Sequence, residues 1–150
     1  MGMILFLLFF THQILSATQP RPKPPTAKSG AKIHFLIPAL NEVQVIGATI
    51  ENLRSTVPDA RVVVIDDASD DGTDRVVRAH AAKDPLVTLL RRELPEARQN
   101  KGKAMNWAVR QLLARSPSES AGHNLEGELS DHVFVVLDAD GRVGEDFAPQ

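Results

Sequence analysis

The 150-residue sequence predicts an α/β fold: a parallel sheet of four strands in the order 3-2-1-4, with helices on both faces. Three observations predict it. Four short, mostly apolar runs, Ile33–Ile37, Arg61–Ile65, Leu86–Leu90 and Val133–Leu137, are rich in β-branched and aromatic residues. They are too short for helices of their own and read as strands buried on both faces. Segments with apolar residues at helical spacing separate them, and such alternation gives parallel strands joined by right-handed crossovers. Acidic residues gather where strands end: Glu42 after the first, Asp66 and Asp67 after the second, Asp138 and Asp140 after the fourth. Ligands of open parallel sheets bind just outside those ends.

Composition narrows the function classes. A length of 150 residues allows one domain with a real core, and 43% hydrophobic and 24% charged residues are ordinary globular values. The formal net charge of −2 gives no basic footprint for nucleic acid. The absence of cysteine excludes disulfides, Cys-ligated zinc and a thiol nucleophile, and the five histidines show no H-x-x-x-H spacing. Residues 1–18 form an apolar segment with an unbroken run from Met3 to Phe10. It is shorter than the roughly 20 apolar residues of a spanning helix and lacks the basic start of a secretory signal. It is expected to be a membrane anchor. Arg21, Lys23, Lys28 and Lys32 follow it, which favours a cytoplasmic location for the domain. Residues 19–31, with Pro20, Pro22, Pro24 and Pro25 among basic residues, read as an extended, semi-rigid linker. The folded domain is expected over 32–150.

Taken in order, the first strand closes on Pro38-Ala39-Leu40-Asn41-Glu42. Asn41 is expected to cap the following helix, which carries Ile46, Ile50 and Leu53 to near Thr56, with Glu42 in its first turn facing the helix dipole. The second strand ends in Asp66-Asp67-Ala68-Ser69-Asp70-Asp71-Gly72-Thr73. Ser69 or Asp71 is expected to cap the next helix, with Asp66 and Asp67 facing the crevice. Arg91, Arg92 and Arg98, after the weaker third strand, are expected on a solvated face. Asn100-Lys101-Gly102-Lys103 opens a third helix with Met105, Ala108, Val109 and Leu112 on one face. Lysines at a helix start oppose the dipole and suggest an anion nearby. Trp107 is read as core, and 115–131 as a long polar loop.

The fourth strand runs directly into Asp138-Ala139-Asp140. Two carboxylates there must face a crevice, a cation or both, because a lone buried charge is very costly. Their oxygens suit a hard divalent ion, Mn²⁺ or Mg²⁺. The first strand is not followed by a G-x-G-x-x-G turn, and no P-loop is present. Phosphates therefore need another counter-charge, which a cation on Asp138 and Asp140 with Lys101 or Lys103 supplies. These demands describe a metal-dependent nucleotide site.

Four segments together resemble the family 2 glycosyltransferases of GT-A fold. Pro38-Ala39-Leu40-Asn41-Glu42 resembles the family's P-x-x-N-E, and Val64–Thr73 its V-x-D-D-x-S-x-D-G-T. Lys101–Asn106 resembles K-G-x-A-L-N, and Asp138-Ala139-Asp140 the D-x-D. The resemblance covers about residues 32–148, the N-terminal, donor-binding half. It implies an inverting enzyme that uses a nucleotide-sugar, with UDP favoured over GDP, and a saccharide or lipid-linked acceptor. It also implies that Asp67 contacts the base and that Asp138 and Asp140 hold ribose, diphosphate and metal. Pro38, Ala39 and Glu42 would line the pocket beside Asp66, and Lys101 or Lys103 would contact base or phosphate. The sequence departs from the pattern at Asn100, where glycine usually precedes the lysine, and in the long 115–131 loop. The family's general base lies beyond the D-x-D strand. The chain, which stops at Gln150, is therefore expected to be truncated before it and inactive alone. Two other readings compete. Val133–Gly141 also resembles the first motif of haloacid-dehalogenase-like phosphatases, with Asp138 as nucleophile and Asp140 as acid/base, but this leaves the other three motifs unexplained. The second is a non-catalytic nucleotide-binding fragment.

Overall fold

The computed structural model describes residues 30–114, 131–144 and 147. The expected anchor segment 1–18, most of the expected linker and most of the expected 115–131 loop lie outside them. The elements run β1 (Lys32–Ala39), α1 (Ile46–Thr56), β2 (Arg61–Asp66), α2 (Thr73–Ala81), β3 (Val87–Arg91), α3 (Lys101–Ala114) and β4 (His132–Val136). All strand pairs are parallel and the order is β3-β2-β1-β4, as the sequence predicts. Among the described residues, no helix is long and apolar enough to cross a membrane.

The pleat sorts each strand's side chains into two layers. Phe35, Ile37, Ala39, Val62, Val64 and Val87 pack against Ile46, Ile50 and Leu53 of α1 and Val77 of α2. Leu36, Val63, Ile65 and Leu90 pack against Ala104, Ala108 and Leu112 of α3, with Trp107 partly buried at the edge of that layer. Helices thus cover both faces, and Trp107, expected in the core, packs against the rim of the α3 layer and is only partly buried. The registers Ala39↔Asp66 and Asp66↔Arg91 align the carboxyl ends of β1, β2 and β3. The chain after β4 joins the same edge, where Leu137 donates its N–H to the Leu36 carbonyl at 3.1 Å.

Two helix starts differ from the sequence expectation. Asn41 does not cap α1, which begins five residues later at Ile46. Asn41 is left-handed (φ 59°), and its Oδ1 accepts from the backbone N–H of Asp70 at 3.0 Å, in the β2–α2 loop. Glu42 precedes the helix, and its carbonyl accepts from Val45 and Ile46 in a turn. Neither Ser69 nor Asp71 occupies the N-cap of α2, which is Gly72 at φ 99°. A Cβ there would be strained by the backbone and would stand 2.9 Å from the Arg75 guanidinium. Asp71 still satisfies the first helical N–H, accepting from Thr73 at 2.9 Å. Asn100 does cap α3, accepting the Lys103 N–H at 2.8 Å.

At the opposite edge of the sheet, buried His34 and His132 share a hydrogen bond between Nε2 and Nδ1 at 2.8 Å. Burial, and then His132, Arg61 and Lys32, push His34 down from 6.5 to about 4. A lowered histidine pKa means the unfolded chain takes the proton first as pH falls. Stability is therefore lost below pH 6.5, and the loss is complete below about 4. The difference in unfolding free energy between the wild-type chain and His34→Phe should shrink by about 2 kcal/mol from pH 7 to pH 5, by urea denaturation. A difference that does not change with pH would contradict the assignment.

Candidate functional site

Asp66 is the last residue of β2 and Asp67 follows it in the chain, so the alternation of the strand sends the two side chains to opposite layers. Asp66 is fully buried, on the α1–α2 side. Its carboxylate accepts from the Arg91 guanidinium and, at 3.0 Å, from the backbone N–H of Ser69. Arg91 also lies 3.6 Å from Asp74 on α2. Burial opposes the Arg91 charge, but Asp66, Glu93 and Asp74 outweigh it and raise its pKa above the ordinary value. Asp66 is thus a brace between β2, β3 and α2. Asp67 lies on the α3 side. Its Oδ1 accepts from Arg92 Nη1 at 2.8 Å, and its Oδ2 from the backbone N–H of Arg98 at 2.9 Å. The buried Arg92 also donates to the Glu96 carbonyl and lies 6.0 Å from the Trp107 ring centroid.

Three loops meet around Asp67. Asn41, Ala68 and Arg98 all adopt left-handed conformations, one in the loop after each of β1, β2 and β3. Such conformations persist where surrounding contacts over-determine them, and they cluster at functional sites. The contacts here are specific. The backbone N–H groups of Asn41, Glu42 and Val43 donate to Ser69 Oγ, Thr73 Oγ1 and Asp71 Oδ2 at 2.9, 2.9 and 3.0 Å. Burial works against the Asp71 charge, but the bonds from Thr73 and Val43 outweigh it and hold its pKa below the usual value. Arg98 donates to the Ala68 carbonyl and to Asp70, and its hydrogen bond lowers the Asp70 pKa.

The loops wall a cleft of about 400 Å³ at the carboxyl ends of the strands. It is lined by Pro38, Ala39, Leu40, Glu42, Asp67, Arg98, Asn100, Lys101, Ala104, Asp138, Ala139 and Asp140. Most of the residues singled out from sequence therefore meet: Pro38, Ala39, Glu42, Asp67, Lys101, Asp138 and Asp140. Two do not. Asp66 is held in the core by its ion pair. Lys103 points away along α3 and donates to Gln99 Oε1 at 2.6 Å, whereas Lys101 Nζ reaches Asp138. Asp138 and Asp140 are exposed carboxylates on a tight turn closed by the Gly141 N–H donating to the Asp138 carbonyl at 2.8 Å. No group of three His, Cys, Asp or Glu side chains able to hold a metal occurs among the described residues.

The three arginines correct the sequence reading. Arg92 is buried against Asp67, Arg91 is paired with Asp66, and Arg98 lines the cleft. The usable signal was a matched pair: two consecutive aspartates end β2, and two consecutive arginines end the neighbouring β3.

A profile for glycosyl transferase family 2 matches residues 35–150, a span that contains all four motifs. The chain belongs to glycosyl transferase family 2. The phosphatase reading, which accounts for the D-x-D segment alone, is set aside. The chain is 44% identical over 61 residues to an undecaprenyl-phosphate mannosyltransferase from Micrococcus luteus, covering 41% of this chain and 25% of that protein. It is 42% identical over 84 residues to the succinoglycan biosynthesis protein ExoA of Rhizobium meliloti, covering 55% of this chain and 24% of that one. It spans about a quarter of the length of these curated relatives. Among solved structures, a mannosyltransferase from Pyrobaculum calidifontis in complex with GDP-Man and Mn²⁺ superposes with a TM-score of 0.59 at 25% identity, covering 93% of this chain and 36% of that one. The fold is of the GT-A type.

Brace and cleft carboxylates should separate in a stability experiment. Arg91→Met leaves Asp66 charged in the core without its cation and should cost about 3 kcal/mol. Asp140→Ala changes an exposed side chain and should stay within about 0.5 kcal/mol of wild type. Urea denaturation at pH 7 measures both, and equal effects would contradict the division of roles.

Proposed function

We propose that this family 2 chain binds a nucleoside-diphospho-sugar across the cleft, base at Asp67 and diphosphate at the D-x-D turn with a divalent cation, as the donor half of a sugar-transferring enzyme. One observation carries the reading. Asp67 after β2 and the Asp138/Asp140 turn after β4 flank the end of β1 and line one cleft. Their strand ends lie about 10 Å apart, two strand spacings. The two places differ in kind. Asp67 is a nearly buried, doubly fixed acceptor suited to reading N–H groups on a base edge. The D-x-D carboxylates are exposed and offer hard oxygen donors.

These donors fit a shared cation. Mg²⁺-type ions are commonly held by one or two carboxylates, with substrate phosphates and water completing the shell, and this arrangement needs no all-protein cage. The Lys101–Asp138 pair is exposed on both sides, and such pairs contribute little to stability. Asp138 can therefore turn to a cation, and Lys101 to a phosphate oxygen, at small cost. When bound, the cation would neutralise charge on the departing diphosphate. Lys101 would add positive charge there, and the Pro38–Glu42 wall would limit water access.

The base is uracil in this reading. The GDP-Man held by the Pyrobaculum enzyme is the observation that favours guanine. Acceptors of the saccharide or lipid-phosphate class are proposed from the names of the curated relatives. Membrane attachment through residues 1–18, with the cleft on the cytoplasmic side, belongs to the same proposal. It rests on the apolar run and the basic residues behind it.

Calorimetry with UDP and GDP, each with and without Mn²⁺, tests the proposal. UDP should bind more tightly with the metal, and Asp140→Ala should remove that gain. Asp67→Ala should weaken binding about 10–100-fold, the loss of a charge-assisted hydrogen bond. Metal-independent binding of both nucleotides, unchanged in Asp140→Ala, would overturn the metal assignment.

A further inference from the structure

We infer that Thr49 and Asn52 of α1 are positioning residues for the D-x-D turn, so that the presentation of Asp138 and Asp140 to a cation is set by a helix some 90 residues earlier in the chain. The inference deepens the proposed donor site and rests on that reading. The connection is direct. Thr49 is fully buried, and its hydroxyl donates to the carbonyl of Ala139, the residue between the two aspartates, at 2.6 Å. Its distance to the Val45 carbonyl in its own helix is longer, 3.2 Å. The single hydroxyl proton is therefore committed across the interface rather than along the helix. One turn on, Asn52 meets the backbone of Val143 at two points. Oδ1 accepts the Val143 N–H at 2.9 Å and Nδ2 donates to its carbonyl at 3.3 Å.

The segment between these anchors has little freedom of its own. Ala139 and Val143 are buried against the α1 layer, while Asp138 and Asp140 are exposed on the cleft side. At Gly141 a Cβ would come within 2.6 Å of Leu137 Cδ1 and 2.9 Å of the Asp138 carbonyl, so the turn closes only with glycine there. The carbonyl beneath the metal carboxylates and the backbone just beyond them are thus fixed by side chains that do not line the cleft. Residues that orient metal ligands without touching the metal typically contribute 10–100-fold to its affinity. The cost of an unmet partner here is also local, because Thr49→Val leaves the Ala139 carbonyl buried and unpaired.

The test uses the whole chain and Mn²⁺ as probe. Free Mn²⁺ is counted by electron paramagnetic resonance in the presence of UDP, and UDP binding without metal is measured in parallel by calorimetry. Thr49→Val and Asn52→Leu should each weaken Mn²⁺ binding about 10–100-fold. Metal-free UDP affinity should fall far less than Mn²⁺ affinity, because Asp67, which takes the base, does not depend on this turn. Thr49→Ser, which restores the hydroxyl, should recover most of the loss. Hydrogen exchange should show the Gly141 and Val143 amides opening faster in both weakened variants. Wild-type Mn²⁺ affinity in Thr49→Val and Asn52→Leu would overturn the inference alone, as would metal-free UDP binding that falls in parallel with metal binding. An absence of metal-dependent binding in the wild-type chain would overturn the donor-site reading and this inference with it.

Discussion

The carboxylates that end β2 impose the constraint on which the site depends. A strand buried on both faces delivers Asp66 and Asp67 to the rim of the core, and neither can remain charged there unpartnered. The neighbouring strand answers with Arg91 and Arg92 in register, one pair per layer. Each pair then recruits further structure. Arg91 ties in Asp74 of α2, and Arg92 ties in Trp107 of α3 and the Glu96 carbonyl. The β3–α3 loop is thereby drawn over the end of β2, and its Arg98 N–H becomes the second donor to Asp67. Charge pairing that begins as a solvation requirement ends by fixing the orientation of the one carboxylate that faces the cleft from β2.

The other walls are fixed by similar cross-loop bonds. Three successive N–H groups of the β1–α1 loop are satisfied by Ser69, Asp71 and Thr73, so the D-x-S-x-D-G-T stretch acts here as the clamp on the P-x-x-N-E loop. Left-handed backbone at Asn41, Ala68 and Arg98 costs on the order of 1–3 kcal/mol each, and the clamps offset that cost where the cleft needs the chain to turn sharply. By contrast, Asp138 and Lys101 form an exposed pair that stabilises little, which leaves both available to a ligand. The site therefore combines a rigid acceptor after β2 with exchangeable charges after β4.

Much of this was legible in the sequence, and the failures have physical causes. The strands and their order followed from short β-branched runs alternating with helical periodicity, because buried parallel strands have no polar face to confuse the pattern. Asp67, Asp138 and Glu42 stand out in the sequence because carboxylates at strand ends need an explanation, and all three line the cleft. Asn41 looked like a helix cap because its own N–H and Oδ1 bind a loop 28–29 residues later, and local spacing does not report that. The arginines looked solvated because their partners lie 25 residues upstream on an adjacent strand. Lys101 and Lys103 could not be ranked because helix phase decides which one faces the sheet edge. The role of Thr49 and Asn52 left no trace, since a threonine and an asparagine in an amphipathic helix are unremarkable until the turn 90 residues later is folded against them.

The central claim is that Asp67 and the D-x-D turn hold the two ends of one ligand. Crystals grown with UDP and Mn²⁺ test it most directly, with data collected at the manganese absorption edge. The account predicts a single anomalous peak against Asp138 and Asp140, diphosphate density beside Lys101, and the base within hydrogen-bond distance of Asp67. A nucleotide bound with its base at the D-x-D turn, or a manganese peak away from those two carboxylates, would contradict it.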